Sequence, residues 1–383
     1  MSRIDELIEK LCPDGVGYKE LGEACKILRG KRLTKSLLSE NEKYPVYHGG
    51  LEPLGYYGQS NRVADTVMII NVGASAGTVG YSHVDFWSSD GCYCIEQSDV
   101  LMSRYIYYAL ICQESTLKSK VRVAGIPTLD APVVKSIKIA VPPLEIQNEI
   151  VTILDKFKLL EAELEAELEA RKKQYEHYRN ALLRFDAKNV EWKTLGEIAL
   201  YPKARIAASF VSEKNYVGVD NLLQNRQGKT LSSYVPKTGN LIEFKEHDVL
   251  IGNIRPYLKK IWFSNLNGGT NGDVIVLRLN EDYRGKYSPK FLYFLLSADA
   301  FFDYNMQFAK GAKMPRGDKN SILKYKIPLP PLSEQERIVN ILDKFDALVN
   351  DISIGLPAEI AARRKQYEYY RNRLLTFKNR SNG

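Results

Sequence analysis

The chain contains one segment twice, and this duplication constrains the fold more than any other feature of its 383 residues. A first block, Pro-Pro-Leu-x-x-Gln followed by Ile-Leu-Asp-Lys-Phe, begins at Pro142 and again at Pro330, 188 residues later. A second block, Lys-Gln-Tyr-Glu-x-Tyr-Arg-Asn, begins at Lys173 and again at Lys365, 192 residues later. A repeat whose period is near half the chain length predicts two equivalent structural units with equivalent roles.

Four segments alternate along the chain, two of them globular and two helical. Short strand-like runs, such as 67–70 and 273–277, lie between Gly, Asn, Ser and Pro residues, which indicates mixed α/β domains. We therefore expect an α+β fold in which two mixed α/β domains are separated by an antiparallel pair of long coiled-coil-like helical regions, with a pseudo-twofold internal repeat. The expected segments are a first globular domain at 1–141, a central helical repeat at 142–186, a second globular domain at 187–329 and a distal helical repeat at 330–383.

Both helical segments have the apolar spacing of a coiled coil, with steps of four and three residues. The expected stripes are Ile146, Ile150, Ile153, Phe157, Leu160 and Leu164 in the first copy, and Ile338, Ile341, Phe345, Leu348 and Ile352 in the second. A stripe with this spacing needs a partner helix to cover it. We expect each copy to cover the stripe of the other in an antiparallel pair. The alternative is that each helix packs on its neighbouring globular domain.

The two helical copies differ by one insertion of four residues. The first copy contains a tetrapeptide repetition at 160–170, where the apolar steps become four and four. Such an insertion locally unwinds a coiled coil, and an unbroken helix over 145–185 is about 60 Å long. The second copy contains Gly355 and Pro357, which are unfavourable inside a helix, so we expect two helices there.

The sequence lacks the patterns that are typical of membrane spans, disulfide frameworks and catalytic sites. No apolar run approaches the roughly 18 residues of a membrane span, and acidic residues in the first six positions do not match a signal peptide, so we expect a cytoplasmic protein. Five cysteines form no C-x-x-C pair, and four histidines have no paired spacing for a metal. The Gly-rich run at 73–80 has the wrong spacing for a phosphate-binding loop. We expect no catalytic residue, metal or cofactor in this chain.

Positive charge is concentrated in the second globular region. Residues 191–330 contain 21 Lys and Arg against 13 Asp and Glu, whereas residues 1–140 contain 16 of each. Such an excess suggests a polyanion partner, because clustered cations neutralise phosphates and arginine pairs bidentately with guanine. The alternative for each cluster is a solvated basic loop. The candidate DNA-binding clusters are Lys26, Arg29, Lys31, Arg32 and Lys35 around Gly30, then Arg255, Tyr257, Lys259 and Lys260, and finally Lys310, Lys313, Arg316 and Lys319.

The repeated helical motifs and the alternation of segments resemble the DNA-specificity subunit of type I restriction-modification systems over essentially the full chain. The Gly-rich run at 73–80, with Ser75 and Thr78, is similar to the target-recognition domains of that family, and so is the Arg-Pro-Tyr sequence that begins at Arg255. The run at 355–360 resembles the distal helical region of the family. The first helical copy departs from this pattern, because it has the tetrapeptide repetition in place of the Gly-Leu-Pro element.

This resemblance implies a non-catalytic reader of double-stranded DNA. Each globular domain is expected to bind one half of a split target, while the helical regions hold the domains apart and dock two modification (methyltransferase) subunits, with restriction (endonuclease and translocase) subunits added. S-adenosylmethionine, ATP and Mg²⁺ are expected on those partner subunits and not in this chain. Candidate partner contacts, which recur in both copies, are Tyr175, Tyr178, Arg179, Tyr367, Tyr370 and Arg371. Packing within the helical pair explains the tyrosines equally well.

Two other readings remain open at this point. The chain is a complete methyltransferase or nuclease with an unusual site, or it is a coiled-coil scaffold with no role in DNA binding. The first predicts activity of the purified chain with S-adenosylmethionine or Mg²⁺. The second predicts no salt-dependent binding of DNA.

Overall fold

The computed structural model describes residues 3–186, 189–351 and 353–380. The chain forms two compact units, the first made of Met1–Leu164 with Ile360–Gly383 and the second of Glu165–Glu359. Each unit therefore combines one globular region with part of each helical copy. The four segment boundaries expected from the sequence stay a prediction. The expected seam residue Ile352 lies outside the described residues.

Helices and strands alternate irregularly, as in other mixed α/β chains. The α-helices are α1 Arg3–Leu11, α2 Leu21–Ala24, α3 Ser103–Cys112, α4 Glu114–Ser119, α5 Ala131–Lys135, α6 Leu144–Leu182, α7 Leu195–Ile198, α8 Pro289–Ser297, α9 Asp299–Gln307, α10 Lys319–Leu323, α11 Leu332–Asn350 and α12 Leu356–Leu374. The strands are β1 Tyr18–Glu20, β2 Ile27–Arg29, β3 Tyr44–Tyr47, β4 Tyr56–Tyr57, β5 Thr66–Ile70, β6 Val79–Ser82, β7 Trp87–Ser88, β8 Cys92–Ile95, β9 Lys138–Ala140, β10 Glu191–Thr194, β11 Ala199–Leu200, β12 Arg205–Ala207, β13 Tyr216–Val217, β14 Asn240–Phe244, β15 Val249–Gly252, β16 Ile261–Phe263, β17 Gly268–Thr270, β18 Val274–Leu279 and β19 Lys326–Leu329.

The first unit is built on an antiparallel sheet with strand order β2-β8-β5-β6. Helix α3 packs against β5 and β6, and the buried residues Val67, Ile69, Tyr105 and Ile106 belong to this core. Strand β5 is buried along its whole length, which explains its continuous apolar sequence. A second sheet has the order β4-β3-β7, and β1 pairs with β9 at the start of the helical segment.

The second unit repeats this topology with a different second sheet. Its main sheet has the order β11-β18-β15-β16, with α8 packed on β15 and β16, and β10 pairs with β19. The second sheet has four strands in the order β12-β14-β17-β13, where the first unit has three. The two globular regions therefore share a frame, and they differ in the part inserted into it.

The helical copies behave as their sequences predict. Helix α6 has 39 residues without a break, so its length is about 58 Å at 1.5 Å per residue. The second copy is divided into α11 and α12, and Gly355 lies at the division. A Cβ atom on Gly355 would lie 2.5 Å from the carbonyl oxygen of Ala347, so only glycine fits there. The expected α+β class with duplicated helical regions is confirmed.

Helices from the two copies pair antiparallel in the first unit. The ring of Phe157 stacks on that of Tyr370 with centroids 5.5 Å apart. One turn further along α6, the carboxylate of Glu161 accepts a hydrogen bond from Arg364 at 2.6 Å. Residue numbers rise on α6 as they fall on α12, so the pair is antiparallel, as the sequence predicts.

The second unit makes the same contact with the copies exchanged. Phe345 on α11 stacks on Tyr178 of α6, with centroids 5.4 Å apart, and also on Tyr175 at 6.1 Å. Phe345 is the repeat of Phe157, and Tyr178 is the repeat of Tyr370. The repeated aromatic residues are thus the contacts between the helices of each unit.

The first turns of each helical copy pack on the neighbouring globular domain, as the alternative prediction states. Ile146, Ile150 and Leu154 are buried in the core of the first unit, and Ile338 and Leu342 occupy the same positions in the second. Both predicted packings therefore occur, over different turns.

Two expected seam residues do not lie in the seam. The residue fractions exposed to solvent are 45% for Leu160 and 37% for Leu348. In the first unit, α6 continues its pairing through Glu161, one residue further along the helix, and this turns Leu160 towards solvent. The expectation that Leu160 and Leu348 are covered is therefore wrong.

The glutamine of the Pro-Pro-Leu-x-x-Gln motif joins each helical copy to its domain. Gln147 is fully buried; its amide donates to the carbonyl oxygens of Val100 and Pro142 at 2.7 and 2.8 Å and accepts from the backbone N–H of Met102 at 2.9 Å. Gln335 makes the equivalent three bonds in the second unit. The motif is therefore explained by the attachment of the helix to the loop before α3 or α8.

The aspartate of the Ile-Leu-Asp-Lys-Phe motif has an equivalent role. Asp155 accepts two hydrogen bonds from Arg104 on α3, at 2.7 and 2.9 Å. Asp343 forms an ion pair with Lys290 on α8 at 3.2 Å. Both cations also lie over aromatic rings of their own unit.

Candidate nucleic-acid interface

A tight loop joins a central strand of the main sheet to an edge strand in each unit, β5 to β6 and β15 to β16, and we call these segments the hairpin loops. They are residues 73–78 in the first unit and 255–260 in the second. Each is closed in the same way. In the first loop, the N–H of Ile70 donates to the carbonyl oxygen of Thr78 at 2.9 Å, and in the second the N–H of Gly252 donates to that of Lys260 at 2.9 Å.

The backbones of the hairpin loops match where their sequences do not. Gly73 and Gly77 both have φ of 87°, and their counterparts Arg255 and Lys259 have φ of 53° and 50°. Left-handed backbone is easy for glycine and costs free energy for other residues. The second loop therefore retains two long cationic side chains at positions where glycine would be less strained. The Gly-rich run at 73–80 and the Arg-Pro-Tyr sequence that begins at Arg255, which were identified separately in the sequence, therefore form equivalent loops in the two units.

A second loop lies beside each hairpin loop, and we call it the flanking loop, residues 122–130 and 310–318. The N–H of Gly73 donates to the carbonyl oxygen of Pro127 at 2.9 Å, and that of Arg255 donates to the carbonyl oxygen of Pro315 at 2.7 Å. Lys310 is 86% exposed, and its side chain lies 3.8 Å from Asp318. The structure therefore brings the second and third candidate clusters of the sequence together.

Arg122 is a candidate site residue that sequence reasoning missed. Its guanidinium lies 3.5 Å from Asp130 and is 62% exposed, in the position that Lys310 occupies in the second unit. Arg122 precedes Lys310 by 188 residues. The 188-residue offset of the repeat could therefore have identified Arg122 from the sequence.

The basic segment at 29–35 lies next to the first hairpin loop. Arg29, Arg32 and Lys35 line a cleft that Val72 also lines, directly before that loop. Ser75 and Thr78, in the hairpin loop itself, are half-buried. The side chains of Lys26, Arg29, Lys31, Arg32 and Lys35 are all exposed, and that of Lys26 lies 3.7 Å from Glu96.

Gly30 allows close packing of the backbone in this segment. A Cβ atom on Gly30 would lie 1.9 Å from the carbonyl oxygen of Ser89. The next residue is held on both sides: the N–H of Lys31 donates to Ser88 at 2.9 Å, and its carbonyl oxygen accepts from Trp87 at 2.8 Å. The cations thus extend from a fixed backbone.

The side chains of the second hairpin loop point in different directions. Tyr257 is 49% exposed at the loop tip. Lys259 forms an ion pair with Asp299 at 2.6 Å, and Lys260 donates to the carbonyl oxygen of Val219 at 2.6 Å. Burial lowers the pKa of Lys260. Arg255 is half-buried.

The flanking loop of the second unit is more exposed. Lys313 and Arg316 have exposed side chains, as does Lys319 at the start of α10, and Arg316 lies 3.1 Å from Asp273. The geometry favours Tyr257 and the flanking loop for contact with a large ligand. DNA binding by each candidate residue stays a prediction.

The candidate partner contacts on the helices are mostly buried within their units. Tyr175 and Tyr367 are 7% exposed and Arg179 is 3% exposed. Tyr178 is 41% exposed, and Tyr370 and Arg371 are half-buried. Packing accounts for the buried tyrosines, and a role of all six in partner binding stays a prediction.

Within residues 3–186, 189–351 and 353–380, no three His, Cys, Asp or Glu side chains are grouped as metal ligands. In the same part of the chain, no helix is both long and apolar enough to cross a membrane.

The chain belongs to the family described as the type I restriction modification DNA specificity domain, which matches residues 13–170 and 187–362. It is a DNA-recognition subunit and not an enzyme, as its sequence predicts. The two matched ranges correspond to the two copies of the repeat.

Named relatives and a solved structure agree with this assignment. The specificity subunit of the type I restriction enzyme EcoR124I/EcoR124II of Escherichia coli is 34% identical over 61% of this chain, and the match spans 60% of that subunit. A putative type I restriction enzyme specificity subunit of Haemophilus influenzae is 29% identical over 97% of this chain and 98% of its own length. The crystal structure of the S subunit of a type I restriction-modification system from M. genitalium has the same fold, with a TM-score of 0.61 and 15% identity over 94% of this chain and 96% of that one.

Proposed function

We propose that the chain recognises a bipartite double-stranded DNA target, one half-site for each unit, through the hairpin and flanking loops. One observation carries this proposal: the same hydrogen-bonded loop frame occurs in both units with different side chains. Gly73 and Ser75 in one unit stand where Arg255 and Tyr257 stand in the other. A common frame docks on the DNA backbone in a common way, and different side chains at its tip favour different bases.

Exposed cations near these loops supply the contacts to phosphates. Arg32 and Lys35 lie beside the first hairpin loop, and Lys310 and Lys313 lie in the flanking loop beside the second. Each phosphate that they neutralise releases counterions, so binding weakens steeply as salt concentration rises. Filter binding at about 50 and 200 mM salt distinguishes this reader from a scaffold, which has no such dependence.

Helix α6 supports a fixed spacing between the half-sites. It has 39 residues and runs from the first unit into the second. A continuous helix resists bending, so its length and helical phase set which spacers allow both readers to bind at once. Four residues lengthen a helix by about 6 Å and rotate its end by roughly 40° beyond a full turn.

The chemistry of modification and cleavage belongs to partner subunits in this proposal. Two modification subunits dock on the helical regions and carry S-adenosylmethionine, and restriction subunits supply ATP- and Mg²⁺-dependent steps. The family membership and the duplicated helical surfaces support two equivalent docking sites. Such a complex acts on chromosomal DNA, so we place it in the cytoplasm.

Methylome sequencing tests the proposal. A host that carries this chain with its modification subunit should acquire methylation at a split motif with a spacer of constant length. A continuous motif, or no motif, contradicts it. The purified chain alone should neither methylate DNA with labelled S-adenosylmethionine nor cut it with Mg²⁺, and either activity would establish the rival reading as an enzyme.

A further inference from the structure

A cavity in the second unit contains charged residues that DNA reading does not explain, and we call it the arginine pocket. The residues that matter here are Lys172, Arg179, Arg226, Lys259, Asp299 and Asp346. They come from α6, α9, α11, the hairpin loop and the segment between β13 and β14. The pocket is therefore bounded by several separate elements of one unit.

Arg179 is a buried cation with an unsatisfied donor. It is 3% exposed, and its Nε has no hydrogen-bond partner among the described residues. Its contact in the pocket is with the ring of Tyr175, whose centroid lies 5.6 Å from the guanidinium carbon. Burying a charged group without a counter-ion is strongly unfavourable. The buried Nε of Arg179 therefore lacks the acceptor that a buried donor normally has.

The neighbouring charges increase this imbalance. The side chain of Arg226 is 14% exposed, and its pKa is lowered by burial first and then by the positive charge of Arg179. The carboxylate of Asp299 is already shared by Arg226 and Lys259. Asp346 bonds instead to Tyr175 and Asn350, and burial raises its pKa. The third carboxylate of the lining, Glu176, forms no hydrogen bond or ion pair with Arg179 among the described residues.

We propose that the arginine pocket binds a small oxyanion of the phosphate class, with oxygens that accept from Arg179 and Arg226. Guanidinium groups bind phosphate through parallel N–H donors, and such charge-assisted bonds are strong. The lining contains four cations and three carboxylates, so one anion offsets the excess of positive charge and gives the Nε of Arg179 its missing acceptor. This site shares Lys259 with the second hairpin loop, but phosphate binding within it goes beyond the proposed function.

The backbone connects the pocket to the second hairpin loop. The N–H groups of Asn225 and Arg226 donate to the carbonyl oxygens of Leu258 and Lys259, both at 3.0 Å. Asn225 and Arg226 have φ of 53° and 65°. An anion held by Arg179 and Arg226 would therefore join α6 to the loop that reads DNA.

The first unit offers a matched control. Arg371 is the repeat of Arg179, but it is half-buried and its guanidinium donates to the side chain of Asn372 at 3.2 and 3.3 Å. The same residue type at the same position is therefore satisfied in one unit and unsatisfied in the other.

Calorimetric titration of the full chain with inorganic phosphate, at ionic strength held constant with chloride, tests the proposal. The unaltered chain should bind one phosphate, and Arg179→Gln and Arg226→Gln should each weaken binding by about tenfold or more, as expected for a lost charge-assisted hydrogen bond. Arg371→Gln should bind phosphate as the unaltered chain does. Phosphate should also raise the melting temperature of the unaltered chain, because a ligand that binds only the folded state stabilises it.

Absence of phosphate binding by the unaltered chain overturns the proposal, and so does unchanged binding by Arg179→Gln. If Arg179→Gln fails to fold, the titration of the unaltered chain and of Arg226→Gln decides. A DNA duplex added as competitor distinguishes the source of the anion. Competition with phosphate assigns the pocket to the DNA backbone, and independent binding assigns it to free phosphate.

Discussion

Single residues in this chain divide into those that hold the frame and those that differ between its two copies. Gln147 and Gln335 make the same buried bonds in both units. Gly73 and Arg255 occupy equivalent backbone positions in the two hairpin loops but have different side chains. Residues that are repeated in the sequence therefore attach the helices to the domains, and residues that differ between the copies lie in the hairpin loops.

Truncation of the buried glutamine tests the first role. Gln147→Ala leaves two carbonyl oxygens and one N–H without a partner in the core. We expect it to lower the free energy of unfolding by about 1–3 kcal/mol, measured by urea denaturation. Gln335→Ala should cost a similar amount. Gln307→Ala, on an exposed side chain, is the control and should change little. An equal effect of all three variants would contradict this role.

Replacement of Arg255 tests the second role. Arg255→Ala should relax one base preference in one half-site, at a cost on the order of 1–3 kcal/mol, when binding is measured on duplexes that differ at single positions. Lys313→Ala, on an exposed side chain of the flanking loop, should weaken binding equally on all duplexes. A uniform loss for Arg255→Ala would assign that residue to phosphate positioning.

At the scale of elements, local sequence predicts where the helices break or continue, but it does not predict contacts between residues that are distant in the chain. The break at Gly355 and the continuity of α6 follow from local propensity and are seen in the structure. The inward direction of Lys259 depends on Asp299, forty residues away, so no local pattern in the sequence contains it. The likeness of the two hairpin loops rests on backbone hydrogen bonds and not on shared residues.

The ion pair between α6 and α12 makes the stability of the first unit depend on pH. Burial alone would raise the pKa of Glu161, but hydrogen bonds from Arg364 and Lys158 outweigh it and hold the pKa below its usual value. A lowered folded-state pKa stabilises the fold above the unfolded pKa of about 4.3, and this contribution is lost as pH falls through the folded value.

Glu161→Gln should therefore be less stable than the unaltered chain near neutral pH, and the difference should shrink below about pH 4.3. Urea denaturation over a series of pH values measures it. The control is Glu163→Gln, on an exposed side chain of the same helix, which should show no such trend. A difference that is constant down to low pH would contradict the role of this ion pair.

At the scale of the whole molecule, the duplication accounts for the fold, and the family accounts for the class of function. The two units share strand order in the main sheet and differ in the second sheet. Sequence alone indicated the duplicated helical segments, which are the repeated parts, and two mixed α/β domains, but not the strand order that these domains share. Packing decides which loop side chains reach solvent, as the different directions of Lys260 and Tyr257 show.

The central claim is that two different readers are joined by a helix that fixes the spacing of their half-sites. Removal of residues 163–166 shortens α6 by about 6 Å, which is comparable to one or two base pairs at about 3.4 Å each. Methylome sequencing of a host with this deletion variant and its modification subunit should show both half-sites unchanged and a shorter spacer. Altered bases in either half-site with an unchanged spacer would contradict the account.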